Sequence, residues 1–528
     1  MDNNTSKAIQ PFFYSLFLAI GFLAGTFSFS NKEYQKISDV INVINRDYVD
    51  TVNTNKLTEL AINGILQGLD PHSYYISAND YAEANDFLQG EFEGIGIQFH
   101  IINDTVTVIN TISGGPSEKI GILPGDRIIK IENQVVAGVK IKEKEILSKL
   151  KGPKGTKVNV SVFRRGSKNL LDFTITRDVI PTYSVDAAYM IVPEIAYIKL
   201  GKFSATTHSE MVKELKQLQT LGMKKLILDL RGNGGGYMEA AVDIVNELMP
   251  QNKTIVFTKG KNRKTQYFVT TGNGLFQYGD LVVLIDELSA SASEIVAGAI
   301  QDNDRGLIIG RRSFGKGLVQ SQFQFKDGSA IRLTVARYYT PSGRCIQRPY
   351  KNGIENYYSD FYSSLFNDKE ENLDSLNIND SLKYKTVKGR TVYGGGGIMP
   401  DIVVIPEKDS SLYWYNEISN LGLAYRFAFD LTDKNRKQLS SIHNVEEFDK
   451  TFNITDKLYD DFVNFAVKNG AKLSHLDNNI SKNRICELIK AYVARNIIGD
   501  KGFYPILNRN DKVILKALEV LKNNNNPL

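Results

Sequence analysis

Two cysteines in 528 residues, Cys345 and Cys486, are too few and too distant for a disulfide framework, although one bridge could form in an oxidising compartment. Histidine is also scarce. His72, His100, His208, His443 and His475 follow no spacing typical of a metal site, so no metal and no cofactor is expected. Neither a metalloenzyme nor a Ser-His-Asp arrangement has a local signal, though distant histidines can meet in space. Charge of one sign is lacking as well. Lys and Arg number 64 against 59 Asp and Glu, interspersed along the chain, so no basic stripe marks a nucleic-acid groove and nucleic acid is not an expected partner. No repeat of fixed period is visible.

What is present is ordinary globular composition, 42% hydrophobic and 23% charged, in a chain long enough for about two to four domains. Residues 8–30 carry no charged side chain and are dominated by Phe, Leu, Ile and Ala. About 20 apolar residues span the hydrocarbon core of a membrane, whereas a signal-peptide core runs to about 7–15. With no Ala-x-Ala site and no following cysteine to carry a lipid, a single-pass signal anchor is the expected reading. A cleaved signal peptide is the alternative, and the terminal position of the run disfavours a buried soluble helix.

Beyond it, residues 34–67 have helical patterning with Ile37, Val40, Ile41, Ile44 and Tyr48 on one face, up to a turn at Leu69-Asp70-Pro71-His72-Ser73. From residue 91 to 163 strand-like runs dominate, with one short helix at 143–150. From residue 195 strands alternate with helices, the signature of βαβ units on a mostly parallel sheet. The polar stretch 350–390 reads as a loop or insertion, and the chain beyond 409 as helical, ending in an asparagine tract at 523–526.

Three stretches carry chemistry. The buried-strand candidate Leu281-Val282-Val283-Leu284-Ile285 passes through Ser289-Ala290-Ser291-Ala292-Ser293-Glu294 into a helix. A small-residue strand-to-helix turn can project a serine toward a substrate, with the next amides at a helix N-terminus where an oxyanion is favoured. Serines at a helix start are ordinarily N-caps, so this stretch alone proves little. The second is Phe314-Gly315-Lys316-Gly317-Leu318-Val319-Gln320. In an extended strand Lys316 and Gln320 share a face. A lysine acts as a base only where burial disfavours its ammonium form, and a glutamine oxygen orients such an amine without adding charge. The bland reading is an exposed strand lysine. Gly310 to Lys316 matches a P-loop as far as its lysine, but Gly317 replaces the magnesium-binding Ser or Thr and a strand pattern follows where a helix is needed. The third stretch, Asp229-Leu230-Arg231-Gly232-Asn233-Gly234-Gly235-Gly236, is a short glycine loop after a strand, able to turn amides inward or to serve as a plain connection.

Together these stretches, with Leu69-Asp70-Pro71-His72-Ser73 and Gly397-Ile398-Met399-Pro400-Asp401, resemble the C-terminal processing peptidases, or tail-specific proteases, over roughly residues 34–404. The resemblance implies Ser291 as nucleophile, Lys316 as base and Gln320 as its orienting partner. It implies oxyanion donors from Ala292 and one of Gly234, Gly235 and Gly236. The implied fold is multi-domain α/β: a crotonase- and Clp-peptidase-like catalytic core with an inserted β-rich PDZ domain, an N-terminal membrane-anchor helix and a mostly helical C-terminal region. The expected boundaries are 1–31 for a cytoplasmic stub and anchor, 32–89 for a helical segment, 90–177 for the PDZ domain, 178–406 for the peptidase core and 407–528 for the C-terminal region.

Within the PDZ segment, Gly94, Ile95, Gly96 and Ile97 resemble a carboxylate-binding loop, with residues 97–101 open to β-augmentation by a peptide and the 143–150 helix closing an apolar pocket. The function implied is a serine endopeptidase with a Ser-Lys dyad that cleaves envelope proteins near apolar C-terminal tails, placed in the periplasm at the cell membrane. The competing function is a non-catalytic PDZ scaffold or holdase, which has no need of Ser291, Lys316 and Gln320. Self-association into a dimer or higher oligomer stays open.

Overall fold

A computed structural model describes residues 32–351, 353–366, 382–405, 412–439, 441–472 and 479–523. The expected anchor, residues 8–30, lies outside them, as do residues 367–381 of the polar stretch and 524–526 of the asparagine tract. Among the described residues no helix is long and apolar enough to cross a membrane. The chain forms two compact units, one made of the residues up to Asn79 with Gln322–Leu333, the other of Asp80–Ser321 with the residues from Thr334 onward.

In the smaller unit, helices Lys32–Asp47 and Thr54–Gln67 precede a strand, Tyr74–Ile76, that pairs antiparallel with residues 330–332. Asn53 caps the second helix through the Lys56 amide at 3.1 Å. The turn after it is closed by Asp70, whose carboxylate accepts the amides of His72 and Ser73 at 2.8 and 2.9 Å and the Ser73 hydroxyl at 2.6 Å. A short acid at a turn provides this local backbone acceptor.

The larger unit opens with a helix, Tyr81–Gln89, that leads into a β-rich module. Its strands β1 (Ile97–Ile102), β2 (Thr105–Thr111) and β3 (Arg127–Ile131), then helix α1 (Glu143–Leu150), β4 (Lys157–Phe163) and β5 (Leu171–Thr176), form an antiparallel sheet in the order β1-β2-β3-β4-β5. Alternation decides the faces. In β4, Val158, Val160 and Val162 are buried, and with Val106, Val108, Ile128 and Ile175 they enclose Ile146 and Leu150 of α1. Strand β1 lies at the sheet edge, leaving one row of its backbone groups outside the ladder.

Next comes an α/β layer: β6 (Val185–Val192), β7 (Ile195–Leu200), α2 (Thr207–Thr220), β8 (Lys225–Asp229), α3 (Met238–Leu248), β9 (Asp280–Ile285), α4 (Ala292–Asp302) and β10 (Leu307–Gly310). A loop carrying Lys316 leads to β11 (Leu318–Gln324), and β12 (Ile402–Val403) completes the sheet. The order is β6-β7-β8-β9-β10-β12, parallel except for the antiparallel β6–β7 pair.

Both faces of this sheet are dry, which explains why its strands read as continuous apolar runs. Ala196, Ile198, Leu226, Leu228, Leu281 and Val283 pack on the face that carries Met211 and Leu215 of α2, Ile244 and Val245 of α3, and Val296 and Ile300 of α4. Ile195, Tyr197, Ile227, Val282, Leu284 and Ile309 point the other way, onto Val513, Ile514, Ala517 and Leu521 of the helix α5 (Lys512–Lys522). Each fully buried side chain of this kind contributes about 1.5–3 kcal/mol. The C-terminal region, to which the sequence assigns no role, therefore supplies the cover for the back of the sheet. The rest of that region forms a helical core of its own around Trp414, Phe448, Phe462 and Ile489.

One expectation needs correction. Cys345 and Cys486 are free thiols, so no bridge forms between them. The described part of the polar stretch 350–390, read as a loop or insertion, holds a helix, Ile354–Phe366, and the first strand of a hairpin formed by Lys383–Lys385 and Thr391–Tyr393. Tyr357 and Phe361 of that helix are buried and pack on Phe314, which fixes one side of the lysine loop.

Candidate active site

The site forms at the C-terminal ends of β8 and β9, the usual place for chemistry in a parallel α/β sheet. From β9 the chain turns through residues 286–290 and enters α4 at Ser291. Of the three serines in this turn, two are structural. Ser289, fully buried, donates to the Leu230 carbonyl at 2.9 Å and accepts the Asp286 amide at 2.9 Å. Ser293, also fully buried, donates to the Asn233 carbonyl at 2.8 Å. Ser291 differs from both: it is partly exposed and adopts φ 55° and ψ −111° at the helix N-cap. A non-glycine residue held at positive φ stores strain of about 1–3 kcal/mol, which the flanking serine bonds are placed to hold. The side chain of Ser291 thus stands at the N-terminus of a buried helix, beside the Ala292 amide.

The glycine loop lies against this turn. A Cβ on Gly235 would stand 2.8 Å from the Ala290 carbonyl oxygen, 2.9 Å from Ser291 Cβ and 3.1 Å from the Ala292 nitrogen, so no side chain fits there. The Ala290 amide donates to the Asn233 carbonyl at 3.0 Å. The Gly235 amide is itself given to Asn233 Oδ1 at 2.9 Å, so of the three glycines only Gly234 and Gly236 keep an amide not donated to Asn233. At the root of the loop Asp229 is buried among Tyr197, Lys199 and Arg231, and Arg231 reaches Asp511, the N-cap of α5, at 2.8 Å. Burial pushes the Asp229 carboxyl up, but Arg231 and Lys199 outweigh it and hold the carboxyl well below the usual range. The loop is thereby anchored to the helix behind the sheet.

Lys316 precedes β11 instead of lying in it, so strand alternation does not bring it to Gln320. The turn does so, with Lys316 Nζ donating to Gln320 Oε1 at 2.9 Å. The loop is held on several sides. Phe314 N–H donates to Ser289 O at 3.0 Å, and Gly317 N–H to Gln347 Oε1 at 2.8 Å. The Ile398 amide donates to Ser313 Oγ at 2.6 Å. Gly397, at φ +88°, approaches so closely that a Cβ would meet Ser313 O at 2.4 Å. The landmark around Gly397 and Ile398 is thus a support for the lysine loop.

One residue that sequence reasoning passed over joins the two segments. Glu294, fully buried in α4, accepts the amides of Ser291 at 2.8 Å, Gly315 at 2.7 Å and Lys316 at 2.9 Å, and the Ser313 hydroxyl at 2.6 Å. Burial raises its carboxyl to about 7, while the hydrogen bonds from Ser313 and from the Lys316, Ser291 and Gly315 amides pull the other way. A signal for it was present: Ser291-x-x-Glu294 before an apolar helix has the spacing of a capping box.

In the β-rich module, Gly94 pairs with Asp178 in a short ladder and Ile95 is buried in the module core. The Ile95 carbonyl accepts the amide and hydroxyl of Ser117 at 3.1 and 2.6 Å, and Gly96, at φ +73°, turns the chain into β1 at Ile97. The four residues thus form the entrance to the edge strand. Among the described residues no group of His, Cys, Asp and Glu could hold a metal ion.

Comparison with known proteins follows this anatomy. Residues 194–358 match peptidase family S41, 94–175 a PDZ domain, 24–80 the N-terminal domain of the activating protease CtpB, and 414–499 a family of unknown function. A carboxy-terminal-processing protease of Bartonella bacilliformis is 37% identical over 321 residues, which cover 60% of this chain and 73% of that protein. The carboxy-terminal processing protease CtpA of Bacillus subtilis is 34% identical over 329 residues, 62% of this chain and 69% of that one. Among solved structures, a photosystem II D1 C-terminal processing protease is 28% identical, covering 58% of this chain and 88% of its own, with a TM-score of 0.34. With that share of each relative aligned at such identity, the chain belongs to the carboxy-terminal processing proteases, serine-type peptidases of family S41.

Proposed function

We propose that this protease works through an acyl-enzyme, with Ser291 as nucleophile, Lys316 as general base and Gln320 orienting the amine. The observation that carries this reading is the placement of Ser291: the strained, partly exposed serine of its turn, at a buried helix N-terminus with the glycine loop against its Cβ. An uncharged Lys316 amine takes the Ser291 hydroxyl proton as Oγ bonds to the scissile carbonyl carbon. The resulting oxyanion is met by the Ala292 amide and an amide of the glycine loop, for which Gly234 and Gly236 are the candidates. Collapse breaks the C–N bond, and Lys316 returns its proton to the leaving amine. Water, deprotonated by the same lysine, then releases the acyl group and restores the serine.

The substrates under this reading are proteins with apolar C-terminal tails. A tail adds to the free edge of β1, its carboxylate lying at Gly94–Ile97 and its last side chain toward α1. Incubation of the full chain with a protein ending in such a tail, followed by intact-mass analysis, should give products shortened near the C-terminus. Amidation of the terminal carboxylate should slow that cleavage by about tenfold or more, the value of one charge-assisted contact. Binding without truncation would instead favour a holdase. The uncharged residues 8–30 favour tethering of this activity at a membrane; carbonate extraction of the full chain tests this, and release into the soluble fraction contradicts it.

A further inference from the structure

Ser291 and Lys316 belong to separate segments, so their side chains keep a working distance only if both backbones are fixed to a common support. Two side chains provide one. On the amide side, a single oxygen, Glu294 Oε2, accepts both the Ser291 N–H at 2.8 Å and the Lys316 N–H at 2.9 Å. Its other oxygen takes Gly315 N–H at 2.7 Å and the Ser313 hydroxyl at 2.6 Å. On the carbonyl side, the Tyr338 hydroxyl lies 2.7 Å from Lys316 O and 3.2 Å from Ser291 O, within donating reach of each. Both side chains are buried, Glu294 at 0% and Tyr338 at 1% exposure. A capping glutamate needs only the contact to its own N-cap. Here three further donors come from the lysine loop, so the function exceeds capping.

We propose that Glu294 and Tyr338 are positioning residues that clamp the peptide groups of Ser291 and Lys316 and so set the separation of nucleophile and base. This rests on the reading of Ser291 and Lys316 as that pair. Neither clamp residue is asked to touch substrate; both act through backbone. The acceptor role requires an ionised carboxylate, because a protonated one turns an acceptor position into a donor facing N–H groups. Among the described residues, the titratable side chains that interact electrostatically with Glu294 are Tyr338 and Tyr357 of the helix Ile354–Phe366. Burial raises both tyrosines above their ordinary range, so they stay neutral near pH 7.

The test uses the full chain and a cleavable tailed peptide, with kcat expressed per active site titrated by a serine-directed covalent label. In Glu294→Gln an amide N–H₂ replaces one acceptor oxygen, so part of the donor set faces a donor and the loop slips against the helix start. A slip of about 1 Å costs roughly 10²-fold in rate. The expected result is a kcat about 10²-fold lower with KM unchanged, since tail docking lies elsewhere. The component of the wild-type pH profile that follows ionisation of Glu294, a rise of kcat through about 7, should be absent from the variant, which keeps the rise due to deprotonation of the Lys316 base. Tyr338→Phe, which removes one hydroxyl, should lower kcat about 5- to 10-fold, again at constant KM. A folded Glu294→Gln enzyme with kcat within about twofold of wild type, or one whose loss lies in KM, overturns the proposal. If that variant does not fold, Tyr338→Phe decides, and an unaltered kcat overturns it. A dead Ser291→Ala beside an unimpaired Glu294→Gln rejects the clamp alone, whereas an active Ser291→Ala rejects the catalytic pair itself.

Discussion

Ser291→Ala should lower kcat by about 10⁶-fold, the scale on which serine peptidases lose their nucleophile. The size follows from the role. Without Oγ no acyl-enzyme forms, and the residual rate is what the oxyanion donors and substrate binding give to direct attack by water. Fold should survive, because two bonds that hold Ser291 run through its backbone and persist in alanine: its amide to Glu294 and its carbonyl to Tyr338. Alanine carries a Cβ like serine, so the backbone strain at φ 55° is unchanged. Tail affinity should also survive, since the edge strand of the PDZ module is remote in sequence and built on a separate core. Steady-state cleavage together with peptide binding by the same preparation checks both halves. A variant retaining more than about 10⁻² of wild-type turnover contradicts the assignment.

Lys316→Ala should cost about 10³- to 10⁴-fold in kcat, the usual worth of a positioned general base and acid. Its backbone contacts also do not depend on the side chain, so the loop should keep its course. Raising the pH should recover part of the rate as hydroxide substitutes for the missing base. Lys316→Arg separates base from charge: a guanidinium keeps the cation but cannot deprotonate in this range, so it should be as impaired as alanine. Activity in the arginine variant would assign position 316 an electrostatic role instead. Gln320→Ala should cost less, roughly tenfold, because it removes one hydrogen bond that orients the amine and leaves the amine in place.

Elements whose signal is local were legible in the sequence. The 143–150 helix, the apolar runs of the parallel sheet and the turn leading to Ser291 each follow from periodicity or small-residue composition, and the structure has them where expected. What escaped is what depends on contacts across the chain. The role of α5 became visible only when both faces of the sheet proved to be buried, because an amphipathic helix at residues 512–522 does not name its partner. Polar–apolar alternation reads Lys316 as strand because it extends two residues past the end of the ladder; Gly315, at φ +94°, turns the chain where the pattern still reads as extended. Aromatic residues spaced in a polar stretch gave the helix Ile354–Phe366 little weight, yet Tyr357 and Phe361 bury themselves on Phe314. Glu294 shows the limit most clearly. Its spacing from Ser291 announces a helix cap, but its bonds to Gly315 and Lys316, 21 and 22 residues on, belong to the tertiary fold.

The most direct trial of the central claim is covalent labelling of the intact chain by a fluorophosphonate-type reagent, with the adduct located by peptide mass. Modification at position 291, lost in Ser291→Ala and slowed in Lys316→Ala, is the predicted result. An adduct on Ser289, Ser293 or any other residue, or no adduct on a preparation that cleaves tailed substrates, contradicts it.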